Sequence, residues 1–269
     1  MPNDWLRPDW PAPSQVRALC TTRGGGYSAA PYDSLNLGTH VGDDPAAVRV
    51  NRALLQRALG RRPVFLDQVH GTDCVALTAQ LPDGTRADAC SLTADAAAET
   101  SGLACTIMVA DCLPVLLCDT AGTWVAAAHA GWRGLAGSQG RGIVEATLPT
   151  PYASKQPLAL MAIAQEAPEI IAWMGPCIGP QAFEVGDEVR AAFVAAHPQA
   201  TLHFAPHGPG KWLANLSALA RQRLHAAGVS RVYGNDGSPE WCTVGQPSRF
   251  FSHRRDRVSG RFAACIWLD

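Results

Sequence analysis

The 269-residue chain has no C-x-x-C pair, no H-x-H pair and no run of 18 apolar residues. Without the first there is no zinc-ribbon or thioredoxin-type motif. Without the second, a multinuclear copper cluster lacks its usual ligands. Without the third there is no transmembrane helix. Basic residues are not in surplus: Lys and Arg number 22 against 23 Asp and Glu, for a formal net charge of −1. That balance argues against nucleic acid as a partner. The start, MPNDWLRPDWPAP, carries acids, prolines and tryptophans where a secretory signal needs a basic and then an apolar segment. The expectation is a cytoplasmic protein with no membrane partner. The nine cysteines are odd in number and scattered, which suits free thiols better than a disulfide framework.

What is present is enough apolar residue, 47 %, for a sizeable core. No repeat, low-complexity tract or break in composition divides the chain, so one domain over 1–269 is expected. The most informative stretch is 105–142, CTIMVADCLPVLLCDTAGTWVAAAHAGWRGLAGSQGRG. Ile107 to Ala110, Val115 to Cys118 and Thr123 to Ala128 read as strands, with Asp119 to Gly122 as a turn. Symmetric closure of that turn pairs Cys118 with Thr123 and, extended backwards, Cys112 with His129. Directly opposed residues bring their Cβ atoms about 4.5–5.5 Å apart. Pro114 suggests a bulge or an edge strand. Strand alternation sends Asp111 to the face opposite Cys112.

Elsewhere the coarse pattern is clear. Val16 to Thr21 reads as a strand. TTRGGGYSAAPYDSLNLGTHVGDDP follows as a long irregular segment, with Arg23 beside three glycines and with Ser34, Asn36 and His40 as polar tips. Asp44 and Pro45 open a helix that Gly60 ends. PVFLDQV, 63–69, reads as a strand that delivers His70 before Gly71. Residues 80–104 read as loop, with Asp88 as a turn or cap residue. Ile143 to Leu148 reads as a helix, 149–157 as a surface connection, Leu158 to Ala164 as a further apolar segment and Glu169 to Met174 as a strand. Asp187 to Ala196 and Leu213 to Ala227 read as helices. Glu184 reads as a solvated carboxylate or an acid–base candidate. The C-terminal RFFSHRRDRVSGRFAACIWL reads as a hairpin with a charged turn at Arg254-Arg255-Asp256.

Two imidazoles and one thiolate, from His70, His129 and Cys112, suit a catalytic zinc with one open position. The same residues could act without metal, as a Cys112 nucleophile activated by His129. A His₂Cys set also appears around copper. Glycine-rich backbone at 24–26 and 131–142, with Arg23 and Arg133, could face an anion.

Seven motifs stand in order across nearly the whole chain: TTRGGGYS, SLNLGTHVGDDP, QVHGT, ADCLPVLL, AAHAGWRG, GPCIGP with FEVG, and FFSHRRD with SGR. Together they resemble a bacterial family called variously purine nucleoside phosphorylase, polyphenol oxidase (laccase-domain) protein and peptidoglycan editing factor. The resemblance implies an α+β fold, a mixed β-sandwich flanked by helices and shared with toxin-type cysteine hydrolases. It implies zinc on His70, Cys112 and His129, with copper disfavoured. It implies phosphorolysis of adenosine, inosine, guanosine and methylthioadenosine, and deamination of adenosine. Arg23, Ser34 and Asn36, and more weakly Arg133, map to a nucleoside or phosphate wall. Partners would be the nucleoside and phosphate, in a monomer or weak homo-oligomer. Arg257 departs from the glycine that commonly follows Arg-Arg-Asp in the family, and Cys177 is read as packing. The competing expectations are a cysteine amidase acting on peptidoglycan precursors and a metal-stabilised scaffold that binds a nucleotide-like ligand.

Overall fold

Runs of Val, Ile, Leu, Ala and Cys without polar alternation form strands only where both faces are covered. The computed structural model, which describes residues 4–96, 102–149 and 168–269, covers them in this way. In chain order the strands and helices are β1 (Val16–Cys20), α1 (Pro45–Leu59), β2 (Arg62–Phe65), β3 (Cys74–Ala76), β4 (Ala89–Thr93), β5 (Leu103–Val109), β6 (Leu113–Asp119) and β7 (Trp124–Ala130). There follow α2 (Trp132–Ala136), α3 (Ile143–Thr147), β8 (Ile170–Met174), β9 (Glu184–Gly186), α4 (Asp187–Ala196), β10 (Phe204–Pro206) and β11 (Lys211–Ala214). The chain ends with α5 (Leu216–Ala226), β12 (Arg231–Gly234), α6 (His253–Asp256) and β13 (Phe262–Leu268).

Among the described residues, one sheet runs β1-β13-β5-β2 and a second runs β12-β8-β6-β7-β4-β3. A small sheet, β10-β11-β9, lies apart from both. Parallel pairs (β2 with β5, β3 with β4, β12 with β8) mix with antiparallel ones. The two large sheets pack face to face through Cys105, Ile107, Phe262 and Ala264 on one side and Leu116, Cys118, Val125 and Ala127 on the other. The outer face of the second sheet, with Val115, Leu117, Ala126 and Ala128, is covered by Leu135, Ile143, Leu219 and Leu224. The outer face of the first, with Phe65, Met108 and Cys265, is covered by Leu55 and Leu59 of α1. The expected mixed α+β sandwich flanked by helices is therefore what forms.

The short link Ala110-Asp111-Cys112 carries the chain from the first sheet to the second, with Asp111 at φ 92°. That crossing is what positions the site. Among the described residues no helix is long and apolar enough to cross a membrane.

Several local expectations change. The strand expected over 63–69 stops at Phe65, because Val69, His70 and Gly71 turn their N–H groups to Asp88 instead of a neighbouring strand. The loop expected over 80–104 contains β4, which is paired to β7 along its length. The helix expected from Leu213 starts at Leu216, capped by Asn215, because Lys211–Ala214 pairs with β9 and β10. The C-terminal hairpin does not form: β13 inserts between β1 and β5. Pro114 is on a central strand, neither at an edge nor in a bulge. Beyond Pro149, the connection expected at 149–157 lies outside the described residues, as does Leu158 to Ala164.

Candidate metal centre

The β6–β7 hairpin brings the first two ligands together. Its register pairs Cys118 with Val125 and Pro114 with His129, two residues away from the pairing expected from the turn. The Asp119 carboxylate causes the difference. It accepts hydrogen bonds from the N–H groups of Thr123 (2.7 Å) and Trp124 (3.2 Å), which moves the loop one residue along each strand. A shift of two preserves the face of every side chain. Cys112 and His129 therefore still meet, with Cys112 just before the strand and beside Gly131. A Cβ on Gly131 would lie 3.0 Å from the Cys112 Sγ and 2.7 Å from the His70 Cδ2, so only glycine leaves room there.

His70 arrives from the loop after β2, at φ 62°. Its Nε2 lies 3.6 Å from the Cys112 Sγ, and its ring meets that of His129 edge-on at 4.7 Å between centroids. The ligand atoms of His70, Cys112 and His129 all lie within 4.8 Å of one another. This is the one such three-residue cluster among the described residues.

Asp88, which is buried, organises the group. Its carboxylate accepts hydrogen bonds from the backbone N–H groups of His70 (2.9 Å), Gly71 (2.6 Å) and Val69 (3.2 Å). It also bonds the Nδ1 of His129 at 2.8 Å. One carboxylate thus fixes the loop that carries one imidazole and the ring of the other, leaving the His129 Nε2 for a ligand. Burial would raise the Asp88 pKa, but the bonds from His129, Gly71 and His70 outweigh it and lower it. Sequence reading missed this role, since Asp88 lies 17 to 19 residues from its backbone donors.

Charge follows from this arrangement. Burial pushes the Cys112 thiol up, but the His129 and His70 imidazoles prevail and bring it down to about 6. Burial pushes His129 down, but the Cys112 thiolate and Asp88 raise it to about 9. In the metal-free protein Cys112 is therefore a thiolate and His129 an imidazolium at neutral pH. Alkylation of Cys112 by iodoacetamide, read by peptide mapping, should be near its maximum at pH 7 and fall as the pH drops through about 6. A rate that keeps climbing between pH 8 and 9, near the roughly 8.5 of a free thiol, would contradict the pairing.

The three residues open into a cavity of about 380 Å³. It is lined by the apolar Leu66, Met108, Trp132, Ile178 and Phe183 and by His40, His253, Arg254, Arg257 and Arg261, with the Arg254 guanidinium over the Phe183 ring at 5.7 Å. Asp111 also lines it, against the expectation from alternation, because the chain leaves strand geometry there. The Asp111 carboxylate accepts from the Thr243 hydroxyl and the Arg254 N–H, both at 2.6 Å.

Four expected wall residues do not line this cavity. Arg23 donates to the carbonyls of Asp33 and Pro247 and lies over the Phe251 ring at 4.7 Å. The Ser34 hydroxyl accepts from the Gly26 N–H. Asn36 is buried and bonds Gly38, Asp43 and the Arg261 N–H. The Arg133 guanidinium lies over the Trp132 ring at 4.4 Å. Gly26 approaches the backbone of Ser34 and Leu35, and Gly134 that of Gly71. Of the remaining candidates, Glu184 is exposed near His207 and Lys211, while Cys177 is packed in the core as expected.

Comparison with known proteins gives the family of the chain. A family model described as multi-copper polyphenol oxidoreductase laccase matches residues 17–269. A purine nucleoside phosphorylase of Pseudomonas aeruginosa is 50 % identical over 269 residues, covering 99 % of each chain. The purine nucleoside phosphorylase YfiH of Escherichia coli is 47 % identical over 263 residues, covering 97 % of each. The crystal structure of a Neisseria meningitidis protein superposes with a TM-score of 0.83 at 45 % identity, covering 99 % of this chain and 100 % of that one. The relatives' names support an enzyme of the transferase type. Fold and sequence identity over nearly the full length agree: the chain belongs to the laccase-like family whose curated members are named purine nucleoside phosphorylases.

Proposed function

We propose that this chain is a zinc-dependent purine nucleoside phosphorylase that also deaminates adenosine. The observation that carries the reading is the His70–Cys112–His129 cluster in a cavity lined by both apolar and basic side chains. Two imidazole nitrogens and a thiolate within 4.8 Å of one another fit zinc, whose bonds are about 2.0–2.1 Å to nitrogen and 2.3 Å to sulfur. The thiol already favours its anionic form, and Asp88 fixes the His129 tautomer. Copper is the weaker fit, since a multi-copper centre needs more ligands than one three-residue cluster supplies. When bound, zinc supplies Lewis-acid chemistry at neutral pH.

The protein's own groups supply the rest. Trp132, Met108 and Phe183 bind the flat purine and exclude water from it. Asp88 keeps the proton on His129 Nδ1 and holds the ring in place. In phosphorolysis a phosphate oxygen bonds to the ribose C1′, the C1′–N9 bond breaks, and N9 keeps the electron pair and takes a proton. In deamination water adds at the purine C6 and ammonia leaves.

One observation favours a second reading. A Cys112 thiolate beside a His129 imidazolium is the arrangement of a cysteine nucleophile, which would suit an amidase acting on peptidoglycan precursors. Chromatography of adenosine incubated with the zinc-loaded enzyme, with and without phosphate, separates the two. Adenine and ribose 1-phosphate that require phosphate, together with inosine in either buffer, are the expected products. No product from adenosine, and a covalent adduct on Cys112 with a muramyl peptide, would overturn the nucleoside reading.

A further inference from the structure

The basic lining of the cavity has more positive charge than the metal ligands account for. Arg254, Arg257 and Arg261 are permanent cations, and His253 and His40 lie beside them. The acid among them is Asp111, and both its oxygens are already engaged, one by the Thr243 hydroxyl and one by the Arg254 N–H. Asp111 keeps its negative charge while it accepts these bonds, so it offsets one of the three guanidiniums and leaves the other two in excess.

The arginines differ in how committed they are. Arg254 Nη1 donates to the carbonyls of Ala182 and Glu184. Arg261 Nη1 donates to the carbonyls of Ser259 and Gly260, while its backbone N–H is held by Asn36. These bonds fix the two guanidiniums on rigid backbone. Arg257 is different: no hydrogen bond or ion pair of its guanidinium occurs among the described residues, although it lines the cavity. Its backbone sits at φ 63°, directly after α6, a conformation that disfavours a side chain other than glycine's.

We propose that Arg257, with Arg261 and Arg254 behind it, forms the site that receives the phosphate co-substrate. A dianion with tetrahedral oxygens suits paired guanidinium forks. Trp132 and Phe183 line the same cavity, with the Arg254 guanidinium over the Phe183 ring at 5.7 Å, so one cavity offers both an aromatic surface for a purine and guanidiniums for an anion. The phosphate site lies on the C-terminal segment, not on Arg23 or Arg133, whose guanidiniums sit over Phe251 and Trp132. The inference rests on the phosphorolytic reading for the identity of the anion, but not for the place where an anion binds.

The test is calorimetric titration of the zinc-loaded enzyme with inorganic phosphate, followed by steady-state kinetics. Arg257→Gln should raise the Kd for phosphate about tenfold, the scale of losing one charge-assisted contact. The KM for phosphate should rise in parallel, with kcat and the KM for adenosine held within about twofold. Arg257→Lys, which keeps the charge and loses the fork, should fall between the variant and the parent and serves if the glutamine variant is unstable. Adenine formation with an unchanged phosphate Kd and KM in both variants would overturn the site and leave the phosphorylase reading intact. Phosphate binding that depends on Arg257, in an enzyme that releases no adenine, would uphold the site and overturn that reading. Absence of phosphate binding by the parent enzyme would overturn the site.

Discussion

Cys112→Ala should purify without metal, against about one zinc per chain for the parent, the stoichiometry of a single three-ligand site. Adenine formation should fall on the order of 10³-fold, because Lewis-acid stabilisation is worth several kcal/mol and each 1.36 kcal/mol is a factor of ten. The fold should survive. Cys112 is half-buried at the mouth of β6, outside the strand, and its side chain lines the cavity. The melting temperature of the metal-free variant should fall by roughly 3–6 °C from the metal-free parent, less than for Asp88→Asn, because the His129 imidazolium loses the thiolate beside it but keeps Asp88. Mass spectrometry under native conditions gives the metal content, and calorimetry gives the melting temperature. Full metal content and full turnover in the variant would remove Cys112 from the centre.

Asp88→Asn should do more damage to stability than the loss of a ligand. The Asp88 carboxylate accepts from three backbone N–H groups and from the His129 Nδ1. An amide puts a donor where two of those donors converge. Breaking a buried charged network costs about 3 kcal/mol or more, which lowers the melting temperature by roughly 6–12 °C in a domain of this size. Zinc affinity should also fall about 10–100-fold, as it does when a ligating histidine loses its outer carboxylate. Competition against a chromophoric chelator reads that number separately from the melt. An unchanged melting temperature together with unchanged zinc affinity would mean that Asp88 does not organise the site.

The contrast between these two residues shows what was legible in the sequence. Cys112, His129 and His70 could be picked out because each sits where an apolar run gives way to polar residues or glycine. The meeting of Cys112 and His129 was inferred from a hairpin register that proved two residues out, and the inference survived because the displacement was even. Asp119 set the true register by capping the turn with its side chain, an interaction that turn composition does not reveal. Asp88 could not be recognised, because its partners come from the 69–71 loop and from His129, 41 residues further along. The same limit hid β4, whose small residues Ala89 and Ser91 are held in a strand by pairing with β7. It also hid the fate of the C-terminus, where β13 pairs with β1 from the opposite end of the chain. Arg254 looked like part of a charged turn because solvent-facing and cavity-facing arginines have the same sequence signature.

The most direct test of the central claim is a zinc titration of the metal-free enzyme, with phosphate-dependent release of adenine from adenosine as the readout. The cluster offers ligands for one ion, so activity should rise linearly and break at about one equivalent of zinc per chain. Release of adenine at full rate before any zinc is added, or no adenine at any zinc level, would contradict the reading of His70, Cys112 and His129 as the metal centre of a nucleoside phosphorylase.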